Sequence, residues 1–130
     1  MESNERKNIL IKLNIDKSDE ALKIADYAIG EGALMTVLNR AYYAIFYTVS
    51  ALAVKHDFVT SKHIGMMKWF NEKFVHNEKV FGSEQLNIYK KAFLLRQKGD
   101  YDTEYPADIE NAKELLADAK VFIEAVRKVI

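Results

Sequence analysis

The chain has 130 residues, 49% of them apolar and 12% aromatic, which is enough to build one core and too apolar for a disordered segment. Its 19 basic and 19 acidic side chains cancel, so no global positive field recruits nucleic acid and any anion site has to arise from local clustering. The absence of cysteine excludes disulfides, thiolate chemistry and the usual zinc cages, and the start Met-Glu-Ser-Asn-Glu-Arg-Lys has no apolar segment of the secretory kind, so a cytoplasmic location is expected.

One proline, five glycines and long stretches of 3.6-residue periodicity predict an all-α protein, an up-and-down bundle of four to five helices formed by residues 1–130 as a single domain. A first helix is expected from about Glu5 to Ile29, with a break or kink at Asn14 to Ser18 and a restart capped by Ser18-Asp19-Glu20. Gly30-Glu31-Gly32 supplies the backbone freedom for a turn. A long central helix then runs to about Lys55. Thr60 or Ser61 offers an N-cap for a third helix that places His63, Met66, Met67, Phe70 and Phe74 on one face and ends near His76-Asn77.

Ser83 can cap the next helix, on which Leu86, Tyr89, Phe93 and Leu94 are expected to pack inward until Gly99 permits termination. Asp100 to Asp108 reads as a loop. From about Asp108 the last helix repeats Ile109, Ala112, Leu116, Ala119, Ile123, Val126 and Ile130 at three-four spacing, a packing seam for a bundle or a partner. Ala33 to Val54 carries only Arg40 as a charge, yet its uninterrupted apolar part, Ala41 to Val54, falls short of the ~20 residues a bilayer needs and includes Thr48, Ser50 and tyrosines. A core helix is the better reading, and no membrane partner is expected.

Two arginines stand among apolar neighbours. Arg40 shares a helical stripe with Val37, Tyr43, Ala44 and Tyr47, and Arg96 shares one with Tyr89, Ala92 and Phe93. A guanidinium keeps its proton and is costly to bury alone, so each needs a carboxylate, a carbonyl or a cleft that admits an anion. For Arg40 the leading expectation is an acid on a neighbouring helix. For Arg96 it is an ion pair with Asp100 at the helix end, with phosphate binding as the alternative.

Arg40-Ala41-Tyr42-Tyr43-Ala44-x-Phe46 on the second helix, Thr60-Ser61-Lys62-His63-x-Gly65 at the third, and Arg96-x-x-x-Asp100-Tyr101 closing the fourth, in this order and spacing, resemble the HEPN domains of prokaryotes. The resemblance covers Ala21 to Ile130. It implies a compact helical domain that dimerises, is often encoded beside a small nucleotidyltransferase, and in many members is a metal-independent ribonuclease or its toxin relative. The nuclease members carry a histidine four to six residues after the arginine. Here that window brings the chain to Tyr101, Asp102 or Thr103, and a tyrosine with a pKa of about 10 is a poor base for a ribose 2′-hydroxyl.

The expected ligand-binding set is therefore Arg40, Tyr43, Arg96, Asp100 and Tyr101, with Arg96, His63 and Tyr101 as the candidates for any catalysis. His63, in the first turn of its helix, is disfavoured as imidazolium by the helix dipole; it either acts as a neutral base or simply caps or packs. Tyr101, Asp102, Glu104 and Tyr105 form an acidic, aromatic loop that either fixes the helix end or brackets a base. Tyr42, Tyr43, Phe46 and Tyr47 are read mainly as packing. His56, His63 and His76 lack metal-ligand spacing, so neither metal nor cofactor is expected. The leading function is a HEPN-like accessory or interaction module that binds RNA or a nucleotide in a toxin-antitoxin-like pair with a nucleotidyltransferase. The alternatives are a divergent metal-independent ribonuclease and a purely structural helical dimer.

Overall fold

A computed structural model describes residues 2–101 and 105–130, and no strand occurs among them. Five α-helices follow in order: α1 (Glu2–Gly30), α2 (Leu34–Lys55), α3 (His63–Phe70), α4 (Ser83–Tyr101) and α5 (Ile109–Arg127). A π-helical stretch, Asn71–Asn77, continues α3. α2 is the hub and touches α1, α3, α4 and α5.

α1 runs unbroken through Asn14–Ser18, contrary to the expected kink. The polar residues there are all used within the helix or against α2. Asn14 donates to the Leu10 carbonyl at 2.9 Å, and Lys12 pairs with Asp16 one turn on. Ser18 is completely buried and donates to the Ala44 carbonyl of α2 at 2.8 Å. Its single proton being so spent, Thr48 must be the donor in the 2.8 Å contact between the two hydroxyls. Below this polar pair, Ala21, Ala25 and Ala28 recur at helical spacing and let the two helices approach closely.

The turn from α1 to α2 closes with Gly32 at φ +72°, Ala33 N–H bonded to Ala28 O and Gly32 N–H to Ile29 O, the paired bonds of a Schellman end. The same pattern ends α2, with Phe58 N–H on Ala53 O and Asp57 N–H on Val54 O. There the left-handed position is held by Asp57, at φ 59°, rather than by glycine. Its carboxylate pairs with Lys7 at 3.0 Å.

Neither Thr60 nor Ser61 caps α3. Lys62 stands at the N-cap without a side-chain bond, and Thr60 Oγ1 accepts instead from the Lys62 N–H at 3.2 Å. Thr60 also folds over the first turn, where a Cβ on residue 65 would lie 3.1 Å from its hydroxyl, a tight fit that Gly65 avoids. Met66, Phe70 and Phe74 are buried as expected. α4 begins at Ser83 itself, and just before it the Gly82 N–H donates to the Gln85 carboxamide at 3.2 Å.

α4 does not stop at Gly99 but continues to Tyr101, so the expected loop begins later; its residues 102–104 lie outside the described residues. Gly99 faces the flexible end of Met35 on α2, whose Cε would lie 2.9 Å from a Cβ there. Leu94, expected inside, is 54% exposed. α5 is capped by Asp108, which accepts from Glu110 N–H at 2.9 Å. Its seam from Ala112 to Val126 is buried inside the chain, Ile109 is outside it, and Ile130 lies beyond the end of the helix.

Candidate functional site

The three motifs converge. Tyr42 and Tyr43 are neighbours on α2; one ring is fully buried and the other half-buried, because consecutive residues point about 100° apart on a helix. From α4, Arg96 reaches both. Its guanidinium carbon lies 5.1 Å from the centre of the Tyr42 ring and 5.7 Å from that of Tyr43, and Nη1 donates to the Tyr43 hydroxyl at 3.1 Å. Arg40, one turn before Tyr43, places its guanidinium 5.0 Å from the same ring. One phenol therefore carries two cations within cation–π range.

Arg96 pairs with Asp100 one turn along α4, as expected, at 3.6 Å between Nε and Oδ2. That separation is too long for a hydrogen bond, and Nε is buried with no hydrogen-bond partner among the described residues. The side chain of Arg96 is only 11% exposed, against 37% for Asp100. A largely buried guanidinium is thus balanced by a carboxylate that remains in water. Arg40 does not meet the acid expected on a neighbouring helix: among the described residues its recorded partners are Asn39, whose Oδ1 accepts from Nε at 2.9 Å, and the Tyr43 ring.

His63 enters this cluster from the first residue of α3. Its ring stacks on Phe46 at 4.3 Å with an 11° interplanar angle, meets Tyr43 edge-on, and sets Nδ1 2.8 Å from the Tyr42 hydroxyl. It packs rather than caps. Burial, and secondarily the charge of Arg96, push the imidazole pKa below its ordinary value, so the neutral form prevails at neutral pH. Burial in turn drives the Tyr42 phenol well up, so it stays protonated, with Arg96 opposing.

Tyr101, at the end of α4, is 77% exposed and has no recorded contact with the cluster. Of the acidic, aromatic loop, Asp102 and Glu104 lie outside the described residues, and Tyr105 packs partly against the core. Tyr42 and Phe46 pack, as expected, and also belong to the cluster, a membership that local patterns do not reveal. The available signal was the phenol of a tyrosine on an otherwise apolar face, which needs a partner when buried.

Two surface grooves lie elsewhere. One of about 1010 Å³ sits between the start of α1 and the segment after α2, lined by Ile9, Leu10, Val54 and Phe58 among others. The other, of about 440 Å³, runs between α1 and α5 past Leu22, Lys120 and Arg127. Two of its cations are engaged, Lys120 with Asp26 at 2.7 Å and Arg127 with Asp19 at 2.6 Å. Among the described residues no group of three or more acidic or histidine side chains is placed to hold a metal ion. Among the described residues no helix is long and apolar enough to cross a membrane.

Residues 11–129 match the model of the HEPN domain. A UPF0332 protein of Thermotoga maritima is 35% identical over 114 residues, covering 88% of this chain and 86% of the relative. A Methanocaldococcus jannaschii protein named "Putative toxin MJ0605" is 30% identical, covering 92% of this chain and 88% of its own length. Another from that organism, named "Putative toxin MJ0142", is 26% identical over 88% of this chain and 77% of the relative. With the helical fold and the three convergent motifs already in place, this match across nearly the whole sequence means that the chain belongs to the HEPN domain family.

Proposed function

We propose that this chain is a toxin-like HEPN module, a single domain acting as one half of a two-protein system. In this reading the cluster of Arg40, Tyr43 and Arg96, with Asp100 beside Arg96, binds a phosphate of RNA or a nucleotide, and a nucleotidyltransferase is the protein partner. The observation that carries the reading is the Tyr43 ring with a guanidinium on Arg40 and another on Arg96. Cations held on aromatic faces bind the backbone of single-stranded nucleic acid electrostatically while the rings stack its bases. Because the chain as a whole is neutral, this local pair supplies the attraction that net charge does not. The toxin names of two relatives support the toxin-like part; the nucleotidyltransferase rests on what the family resemblance implies, and the cytoplasmic setting on the cysteine-free composition.

The homodimer belongs to the same proposal. Most of the apolar surface of α2 is absorbed by the chain's own helices, so the twofold partner is argued from the aromatic residues of α2 left half-buried, Tyr43, Phe46 and Tyr47.

One observation favours a second reading, a metal-independent ribonuclease. His63 supplies an imidazole beside Arg96 although no histidine follows Arg96 in sequence. The two readings separate when the protein is incubated with single-stranded and structured RNAs in EDTA, alongside His63→Ala and Arg96→Ala variants. The binding module forms complexes and leaves the RNA intact. Cleavage to 2′,3′-cyclic phosphate ends that either substitution abolishes overturns it in favour of the nuclease.

A further inference from the structure

Tyr42 is fully buried, and the one hydrogen-bond partner recorded for its hydroxyl among the described residues is His63 Nδ1, at 2.8 Å. A phenol has one proton to give. If Nδ1 carried a proton and donated to the phenol, the phenolic proton would be left in the core with no recorded acceptor, the costlier arrangement. Donation from Tyr42 to Nδ1 satisfies both groups. It also dictates where the imidazole keeps its own hydrogen, because a neutral ring whose Nδ1 accepts must be protonated at Nε2.

The ring has little freedom to rearrange. Phe46 stacks on it at 4.3 Å, the Tyr42 ring lies nearly parallel at 5.7 Å, and Tyr43 stands edge-on at 5.6 Å. Arg96 on α4 is the charge that acts on the imidazole, and Arg40 on α2 lies on the Tyr43 ring that the imidazole meets edge-on. The acid paired with Arg96 is Asp100. Nε2 has no recorded partner among them.

We propose that Tyr42 locks neutral His63 as the Nε2–H tautomer, so that His63 and Arg96 form an anion-binding pair that donates hydrogen bonds to a phosphate group and cannot take a proton from a ribose hydroxyl at Nε2. The ligand half rests on the phosphate reading of the Arg96 cluster; the tautomer half does not. Tyr42 is then a positioning residue, acting on the ligand only through His63. A general base needs a free lone pair, and the only one on this ring points into the protein at Tyr42. The same lock gives the phosphate two donors of different kinds, a fixed cation and a neutral N–H.

Long-range proton–nitrogen correlation spectra of protein labelled with nitrogen-15 at histidine test both halves. Above neutral pH, His63 Nδ1 is expected to show a pyridine-type shift and Nε2 a pyrrole-type shift in the wild type, and Tyr42→Phe is expected to relax this towards a mixture. Inorganic phosphate and adenosine monophosphate should each shift the Nε2–H resonance saturably, and Tyr42→Phe should weaken that binding about tenfold, the equivalent of one hydrogen bond of about 1.4 kcal/mol. A proton found on Nδ1 in the wild type overturns the lock, whether or not phosphate binds. The expected tautomer with no response of Nε2 to either probe overturns the anion-binding pair and counts against the phosphate reading itself.

Discussion

Arg96 donates to the hydroxyl of Tyr43 at 3.1 Å, joining the fourth helix to the second across 53 positions of sequence. That bond, the ion pair with Asp100 and the two aromatic faces together hold a side chain that is almost fully buried. Replacing Arg96 by alanine should therefore lower the unfolding free energy by about 1–3 kcal/mol, the range for losing a charge-assisted bond and its packing. Asp100→Asn should cost less than ~1 kcal/mol, since that carboxylate stays partly in water. Urea unfolding of both variants checks this, and equal losses would show that the ion pair rather than the contacts to tyrosine holds Arg96.

Ser18 and Thr48 form the one fully buried polar pair recorded between α1 and α2 among the described residues. Ser18→Ala leaves the Thr48 hydroxyl and the Ala44 carbonyl without this partner, an expected loss of about 1–3 kcal/mol. Thr48→Val added to it should cost little more, because the orphaned donor is removed with its partner. A double-mutant cycle in chemical denaturation measures the coupling, and strictly additive losses would contradict the assigned bonds.

Asp57 occupies a left-handed position that glycine fills without steric cost. Asp57→Gly should raise stability by up to ~1 kcal/mol, reduced by the small worth of its exposed ion pair with Lys7. A clear loss in melting temperature would mean that the pair with Lys7 outweighs the backbone strain.

His63 and His56 both have folded-state pKa values below the ordinary 6.5, for His63 through burial and then Arg96, and for His56 through burial and then Lys73 and Lys55. Above 6.5 both are neutral folded and unfolded, and nothing is lost. As the pH falls below that value the unfolded chain binds protons that the folded chain refuses, so stability declines until the folded-state pKa is passed. His63→Gln should flatten the decline. An unchanged slope would place the titration elsewhere.

The helix inventory was legible in the sequence because each apolar stripe keeps a 3.6-residue period over several turns. What sequence patterns misplaced were residues whose role lies across the fold. Asn14 to Ser18 looked like a break because Asn and Ser favour turns, yet Ser18 is consumed by Ala44 and Thr48 on α2. Gly99 has the look of a terminator, yet α4 runs past it to Tyr101. Of the site, the arginines and His63 were named from local patterns, and the Arg96–Asp100 pair followed from their one-turn spacing. The partner of Arg40 was misjudged, and the bond of Tyr42 to His63 joins residues 21 positions apart, which no helical period reveals.

Twofold association predicts a sedimentation mass about twice the 15.0 kDa of the chain at micromolar concentration. Phe46→Ser, on the half-buried side of α2, should shift it towards the monomer, whereas a monomer at tens of micromolar for the wild type would remove the dimer from the proposal.

The central claim is that Arg40, Tyr43 and Arg96 form a phosphate and base platform. Arg40 is the residue on which to test it, because its recorded contacts are local and its loss should leave the fold intact. Titration calorimetry of a short single-stranded oligoribonucleotide into the wild type and Arg40→Gln, with melting temperatures measured on the same samples, gives the answer. Saturable binding weakened about tenfold or more in the variant, at unchanged melting temperature and with lower affinity at higher salt, is the predicted result. Binding of equal strength in both proteins, or no saturable binding by the wild type, would contradict it.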